Sequence, residues 1–344
     1  MKKAKIFLIG SILLFGGILS MFTFIFNFET NQQTLANNEK ISPRGSYYNN
    51  SMSPIFINGD AYGIGAHNWS WAESQPWCSG NGNEAEPYII AKLTINGMRL
   101  SSCILIRNSI AFFRIENCTL YNSSAGSGDP RKAGIKLLNC QNGEIYNNFI
   151  LNNKGNGISL GSSSFNIISE NTISNNNYYG ISLYSNCNNN TISENTISNS
   201  QIDGIFLSYS SSNIISENTC SKNRDGIWIS HGSDNTISWN IISNNTMEGI
   251  SIFSCSNNIE FNRIYNNPVG IYVGDGDVKN NFISQNWIWN NPIRMAGSNI
   301  GDNYIGNNFY YSFYNPDTDG DGLSDELELG IGTNPSLYDT DGDN

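Results

Sequence analysis

The residues whose types and spacing best suit chemistry lie near the end of the chain. Asp317, Asp319, Asp321, Gly322, Leu323, Asp325 and Glu328 follow the order D-x-D-x-D-G-x5-E, the arrangement of a calcium loop. Calcium takes six to eight hard oxygen ligands. The carboxylates of Asp317, Asp319 and Asp321, the Leu323 carbonyl, Asp325 through water and a bidentate Glu328 would supply them around a turn at Gly322. Asp339, Asp341 and Asp343 restart the pattern 22 residues later, and the sequence then stops at Asn344, as a truncated product would. Calcium is therefore the expected cofactor. Its role would be structural, because extracellular modules of this kind bind at roughly 10⁻⁴ to 10⁻³ M.

A second constellation lies further back. Asp203, Asp225 and Glu248 each directly precede a Gly-Ile pair, while Phe206, Trp228 and Tyr272 each stand two residues after the glycine of such a pair. If the pairs stack, the three carboxylates form a column beside an aromatic platform, which a sugar-binding or glycosidic site needs. Arg224 is the basic residue nearest that column, with Lys222 on the same turn. Two readings from different classes follow. One is a non-catalytic glycan-binding, adhesive or structural module contacting polysaccharide or cell-surface glycan through Phe206, Trp228 and Tyr272. The other is a carbohydrate-active enzyme, a polysaccharide lyase or glycoside hydrolase, using Asp203, Asp225, Glu248 and Arg224. The non-catalytic reading is preferred, since no insertion builds cleft walls around residues 203–250. Glu170, Glu194 and Glu217 form another like-charge column and read as solvated turn residues, as does His231.

The elements that position these groups follow from a repeat. Gly-Ile recurs at Gly134, Gly157, Gly180, Gly204, Gly226, Gly249 and Gly270, at spacings of 21 to 24 residues, a solenoid period. Between the pairs runs Ile-x-x-Asn-x-Ile-x-x-Asn, anchored at Ile145, Ile168, Ile192, Ile215, Ile237, Ile259 and Ile283. Short strands alternating inward aliphatic with outward polar residues, each bonded to the coils above and below, account for both motifs. The fixed glycine is expected to supply a positive φ or a tight corner. The column Asn148, Asn171, Asn195, Asn218, Asn240, Asn262 and Asn286 is expected to form an amide ladder, since one amide can donate to and accept from the next. Parallel crossovers are overwhelmingly right-handed. The predicted fold is thus all-β, a right-handed parallel β-helix of about 9–10 coils. Cys103-Ile104-Leu105-Ile106 stands where an early Gly-Ile-x-Leu would be, and Phe309, Tyr310, Tyr311, Phe313 and Tyr314 are expected to cover the last coil.

The chain ends differ in character. Lys2, Lys3 and Lys5 precede an uncharged apolar run over 6–26, which suits either a cleaved export signal or a retained membrane anchor. The expected organisation is signal or anchor at 1–28, linker at 29–53, β-helix at 54–314 and calcium-binding acidic repeats at 315–344. The formal net charge of −11 is largely local: residues 315–344 hold nine acidic side chains and no basic one, whereas 134–309 hold twelve and seven. So balanced a body excludes nucleic acid as a partner. The seven cysteines do not suit a disulfide framework. Cys140, Cys187 and Cys255 fall at nearly one turn position two or three coils apart, roughly 10 to 14 Å at about 4.8 Å per coil, beyond the ~7 Å that a disulfide spans. Cys220 replaces a core Ile and Cys118 a ladder Asn, whereas a Cys78–Cys103 pairing stays open.

The repeat resembles the parallel β-helix family of NosD-type proteins, named for periplasmic copper binding. The likeness covers residues 54–309 and rests on Ser79-Gly80-Asn81-Gly82, Pro87-Tyr88-Ile89-Ile90, Leu93-Thr94-Ile95-Asn96-Gly97 and Asn190-Thr191-Ile192-Ser193-Glu194-Asn195-Thr196-Ile197. It implies a β-helix and an extracellular or cell-surface location. The copper label does not carry over, because the chain has two histidines, His67 and His231, and six methionines without clustering. The tail, with Gly332-Thr333-Asn334-Pro335 between its acidic loops, is similar to thrombospondin type 3 and related bacterial calcium repeats.

Overall fold

The computed structural model describes residues 51–63, 65–124, 132–274, 278–291, 293–296 and 303–311. All of them belong to the second of two compact units, Asn50–Asn344. The apolar segment at 6–26, the calcium loop, Phe313 and Tyr314 lie outside the described residues.

Each repeat folds into three short strands, so the chain builds three sheets of ten, ten and eleven strands, parallel throughout except where Cys78–Ser79 pairs antiparallel with Tyr88–Ala91. The first sheet carries the Gly-Ile strands, from Ile55–Asn58 and Ile104–Ser109 to Val269–Val273 and Ile293–Ala296. The second, of eleven strands, runs from Cys78–Ser79 and Tyr88–Ala91 to Tyr304–Gly306, and the third from Thr94–Asn96 to Phe309–Tyr311. Equivalent residues pair rung by rung: Ile158↔Ile181, Ile181↔Ile205 and Ile205↔Ile227 in the first sheet, Ile168↔Ile192 in the second, Ile150↔Ile173 in the third. This is a parallel β-solenoid, as the repeat predicts. Ile104 pairs with Ile135, so Cys103-Ile104 does take the place of an early Gly-Ile.

Alternation explains the core. Inward Ile and Leu from all three sheets are fully buried over nearly the whole length. The burial of an aliphatic side chain contributes roughly 1.5–3 kcal/mol, and every coil repeats the gain. Cys220 sits between Ile197 and Ile242 in an aliphatic column and is completely buried.

The corners revise the expected role of glycine. Gly134, Gly157, Gly180, Gly204, Gly226 and Gly249 are not at positive φ. A Cβ on Gly180 would lie 2.3 Å from Ile197 Cγ2 and 2.6 Å from the Gly204 carbonyl oxygen. Close approach between coils, not backbone conformation, therefore requires glycine there. Left-handed backbone is instead carried by the residue before each ladder Asn, such as Asn147, Glu170, Asn189 and Glu217 at φ 50°, 57°, 55° and 59°. Asn tolerates this region better than most side chains.

Among the described residues there are three buried amide ladders where one was expected. In the first, Asn171 Oδ1 accepts from the Asn148 main-chain N–H at 2.9 Å and from Asn148 Nδ2 at 3.0 Å, while Asn171 Nδ2 donates to the Ile145 carbonyl at 2.9 Å. Each amide thus ties the backbones of neighbouring coils as well as its own kind. Cys118 stands at the head of this ladder, its N–H donating to Asn148 Oδ1. The second uses the last Asn of the motif, with Asn223, Asn245 and Asn267 in sequence. The third joins Asn166, Asn190, Asn213, Asn235, Asn257 and Asn281.

A cap closes the first rung. Asn68 accepts from the Trp71 N–H and starts the helix Trp69–Glu73. Trp69 then stacks on Tyr88 at 4.6 Å and donates its indole N–H to Ser109 Oγ at 2.8 Å. At the other end, Phe309–Tyr311 continues the third sheet against Trp287–Trp289. Those residues form a rung instead of a separate cover, with Tyr310 following Ile288 at an inward position.

Candidate functional site

The acidic column forms at the start of the Gly-Ile strands. Gly204 N–H donates to the Asp225 carbonyl at 2.9 Å and Gly226 N–H to the Glu248 carbonyl at 3.0 Å, which puts Asp203, Asp225 and Glu248 on successive rungs. Their side chains do not line an open face, however. Asp203 is fully buried, Asp225 nearly so, and only Glu248 is half-exposed.

Arg224 holds the column together. Its Nη2 lies 3.0 Å from Asp203 Oδ1 and 3.6 Å from Asp225 Oδ2, and its guanidinium stands 5.1 Å over the Trp228 ring. The contact with Asp203 is an ion pair without hydrogen-bond alignment. Both Asp203 oxygens, Arg224 Nε and Trp228 Nε1 are buried without a hydrogen-bond partner. Burial, followed by repulsion from Asp225, pushes the Asp203 carboxyl up to about 7 against the pull of Arg224. Glu248, whose N–H donates to Asp225 Oδ1 at 3.3 Å, is pushed up to about 7 by burial and then by its hydrogen bond with Asp225. One guanidinium thus answers two carboxylates in a low-dielectric pocket, and the group that a lyase would need as a free base is engaged.

Phe206 and Trp228 pair in register on the outer face of the first sheet, and Trp228, Ser251 and Tyr272 continue the row. Two residues given no role from sequence complete it. Tyr179 stacks on Phe206 at 4.4 Å, and Phe253 bridges Trp228 and Tyr272 at 5.7 and 5.6 Å. Phe253 stands at the far end of its strand, where only folding shows that the ring leans across Ser251, which is buried. Ring orientation changes along this row. Phe206 meets Trp228 at 67°, Trp228 meets Phe253 at 56° and Phe253 meets Tyr272 at 39°. Aromatic pairs on the other two sheets lie nearly parallel, Phe282–Tyr304 at 5° and Tyr265–Trp289 at 13°, so their faces cover each other. Tilted rings cover each other less completely than parallel ones, while Arg224 covers one face of Trp228.

His231 stands at the opposite end of its strand from the acids. It stacks on Tyr209 at 4.6 Å, has Nδ1 2.6 Å from Ser230 Oγ, and borders a shallow cleft of about 470 Å³ with Ser233, Phe253 and Cys255. Glu170, Glu194 and Glu217 are exposed corner residues, as expected. All seven cysteines, Cys78 and Cys103 included, are free thiols.

The fold and this face define a parallel β-helix protein with an arginine-bridged acidic column beside an outward aromatic row. The chain belongs to the NosD family, described as periplasmic copper-binding protein, whose model matches residues 36–203 and 89–316. A bacterial TSP3 repeat model matches residues 317–336. No curated protein matches the sequence. Among solved structures, the chain is similar to an alginate lyase from Paenibacillus sp. str. FPU-7, at 13% identity and TM-score 0.50 over 65% of this chain and 95% of that one. It is also similar to pectate lyase Pel9A, at 11% identity and TM-score 0.48 over 86% and 90% of the two chains. A third is PfbA, a surface adhesin of Streptococcus pneumoniae, at 16% identity and TM-score 0.49 over 61% and 60%. These are likenesses of fold.

The copper of the family's description does not fit the donors of this chain. Copper sites gather imidazole and soft sulfur ligands. Here His67 stacks on Trp71 in the cap and His231 on Tyr209, while six of the seven thiols are buried. Among the described residues no three His, Cys, Asp or Glu side chains converge as a metal site.

Proposed function

We propose that this is an exported, non-catalytic β-helix protein that binds carbohydrate along the outer face of its first sheet, with structural calcium in its tail. The observation that carries the reading is the row Tyr179–Phe206–Trp228–Phe253–Tyr272, whose rings turn out of parallel from Phe206 onward. Sugar rings present apolar C–H faces to aromatic rings and hydroxyls to neighbouring carboxylates, which here means Glu248. Asp203 is too deeply buried to touch a ligand and Arg224 spans two acids, so the described acidic column offers neither a reachable acid–base pair nor a free base. The lysine-flanked apolar segment at 6–26 supports export, as either signal or anchor. Asp317, Asp319, Asp321, Leu323, Asp325 and Glu328, within the TSP3 match, would hold calcium. The ligand is thus a polysaccharide or cell-surface glycan and not nucleic acid.

A carbohydrate-active enzyme is the second reading. It is favoured by the carboxyls of Asp203 and Glu248, both raised to about 7, since general acids are tuned in this way. One experiment separates the two. The wild type, Trp228→Ala and Asp225→Asn chains are tested on a panel of acidic and neutral polysaccharides for retention and for release of reducing ends or unsaturated products. Retention weakened about tenfold by Trp228→Ala, with no product, is the expected result. Product release that Asp225→Asn abolishes would replace the binding reading with the enzymatic one.

A further inference from the structure

A second aromatic feature stands away from the first sheet, at the corner between the second and third. The corner column there runs Glu170, Glu194, Glu217, Trp239, Phe261, with φ of 57°, 58°, 59°, 60° and 58°. Backbone bonds fix the register: Glu217 N–H donates to the Ser238 carbonyl and Trp239 N–H to the Glu260 carbonyl. Two bulky aromatic residues thus occupy left-handed positions, which such side chains rarely adopt, although Phe165 and Tyr209 do so at other corners of this chain.

The ring geometry says what the position offers. Trp239 and Phe261 stack at 4.6 Å and 4°, so one Trp239 face is taken. Among the described residues no ring covers the other, and Trp239 is 55% exposed. That open face points along the column toward Glu217, one rung away, about 4.8 Å, with Glu194 beyond it. A flat aromatic face beside exposed carboxylates suits a ring that is apolar on one side and hydroxyl-bearing at its edge. The same carboxylates oppose a lipid surface or a polyuronate.

We propose that Trp239, with Glu217 and Glu194 beside it, is a second carbohydrate platform that takes a neutral pyranose unit of a polysaccharide. It shares its ligand class with the first-sheet reading but none of its residues.

The test is native affinity electrophoresis of the full chain in a neutral β-glucan, xylan and mannan, with alginate as the charged control. Asn adopts the left-handed conformation more readily than Trp, so the melting temperature of Trp239→Asn should equal or exceed that of the wild type. Retardation by at least one neutral polysaccharide should weaken threefold or more. Trp239→Glu, which extends the glutamate column, provides a second variant should Asn not be tolerated. Binding undiminished in both Trp239 variants, with loss confined to Trp228→Ala, would overturn this platform and leave the first-sheet reading standing. Loss confined to the Trp239 variants would support the platform and remove the first-sheet site. A wild-type chain that none of the three neutral polysaccharides retards would overturn the platform whatever alginate does.

Discussion

Cys255 is one position out of step with the other corner cysteines. The column through Cys140, Ser163, Cys187 and Ser210 is linked rung by rung, Cys140 N–H to Ser163 Oγ and Cys187 N–H to Ser210 Oγ, and it continues to Ser254, leaving Cys255 half-exposed. Burial pushes the Cys103 thiol up to about 12 and those of Cys118, Cys140 and Cys187 up to about 11. Thiolate is the reactive form, so iodoacetamide on the native protein should label Cys255 first, and mass spectrometry should find the other six modified only after unfolding. Early labelling of Cys140 would contradict the core assignment. Asp203 gives a pH prediction. Its folded carboxyl titrates near 7, above its ordinary 3.8, so between these values the folded state holds a proton that the unfolded state has released. Stability from this group is full below about 4 and lost as pH rises through 7. The melting temperature should therefore be higher at pH 5 than at pH 8, and Asp203→Asn should shrink that difference. An unchanged slope in the variant would assign the effect elsewhere.

The amide ladder is the element on which stacking depends. Asn218 Oδ1 accepts from the Asn195 main-chain N–H and from Asn195 Nδ2, and Asn218 Nδ2 donates to the Ile192 carbonyl and to Asn240 Oδ1. Asn218→Ala leaves several buried groups unpaired at once, each costing about 1–3 kcal/mol. Denaturant unfolding should show a loss of about 3 kcal/mol or more, and a loss below 1 would mean that water replaces the amide. The second ladder has a natural gap. Ser200 donates its N–H to Asn223 Oδ1, but its hydroxyl is buried without a partner. Ser200→Asn should close the gap and add about 1 kcal/mol, read as a higher denaturation midpoint at unchanged slope.

At the scale of the whole chain, the rod and its tail should respond to calcium separately. The strands hold one another through parallel pairing and ladders that need no metal, whereas the acidic residues of 317–328 repel one another without a cation. Calorimetry of the full chain after chelation should give binding at millimolar or tighter calcium, while the circular dichroism of the β-helix stays unchanged. Absence of heat at 10 mM calcium would dispose of the tail site.

The repeat made much of this legible in advance. Recurrence of Gly-Ile and Ile-x-x-Asn at 21 to 24 residues dictates the solenoid, the inward columns and the first amide ladder, because parallel in-register stacking turns sequence period into spatial adjacency. It likewise put Asp203, Asp225 and Glu248 in one line and Phe206 beside Trp228. What depends on side-chain direction was not legible. Whether the carboxylates meet solvent or a guanidinium, whether rings stack flat or tilt, and that Phe253 leans into a row one strand position away were decided by packing between coils. The same holds for the recurrence of glycine before the Ile of each coil, which reflects contact with the next coil's carbonyl, since one strand cannot disclose how closely its neighbour approaches.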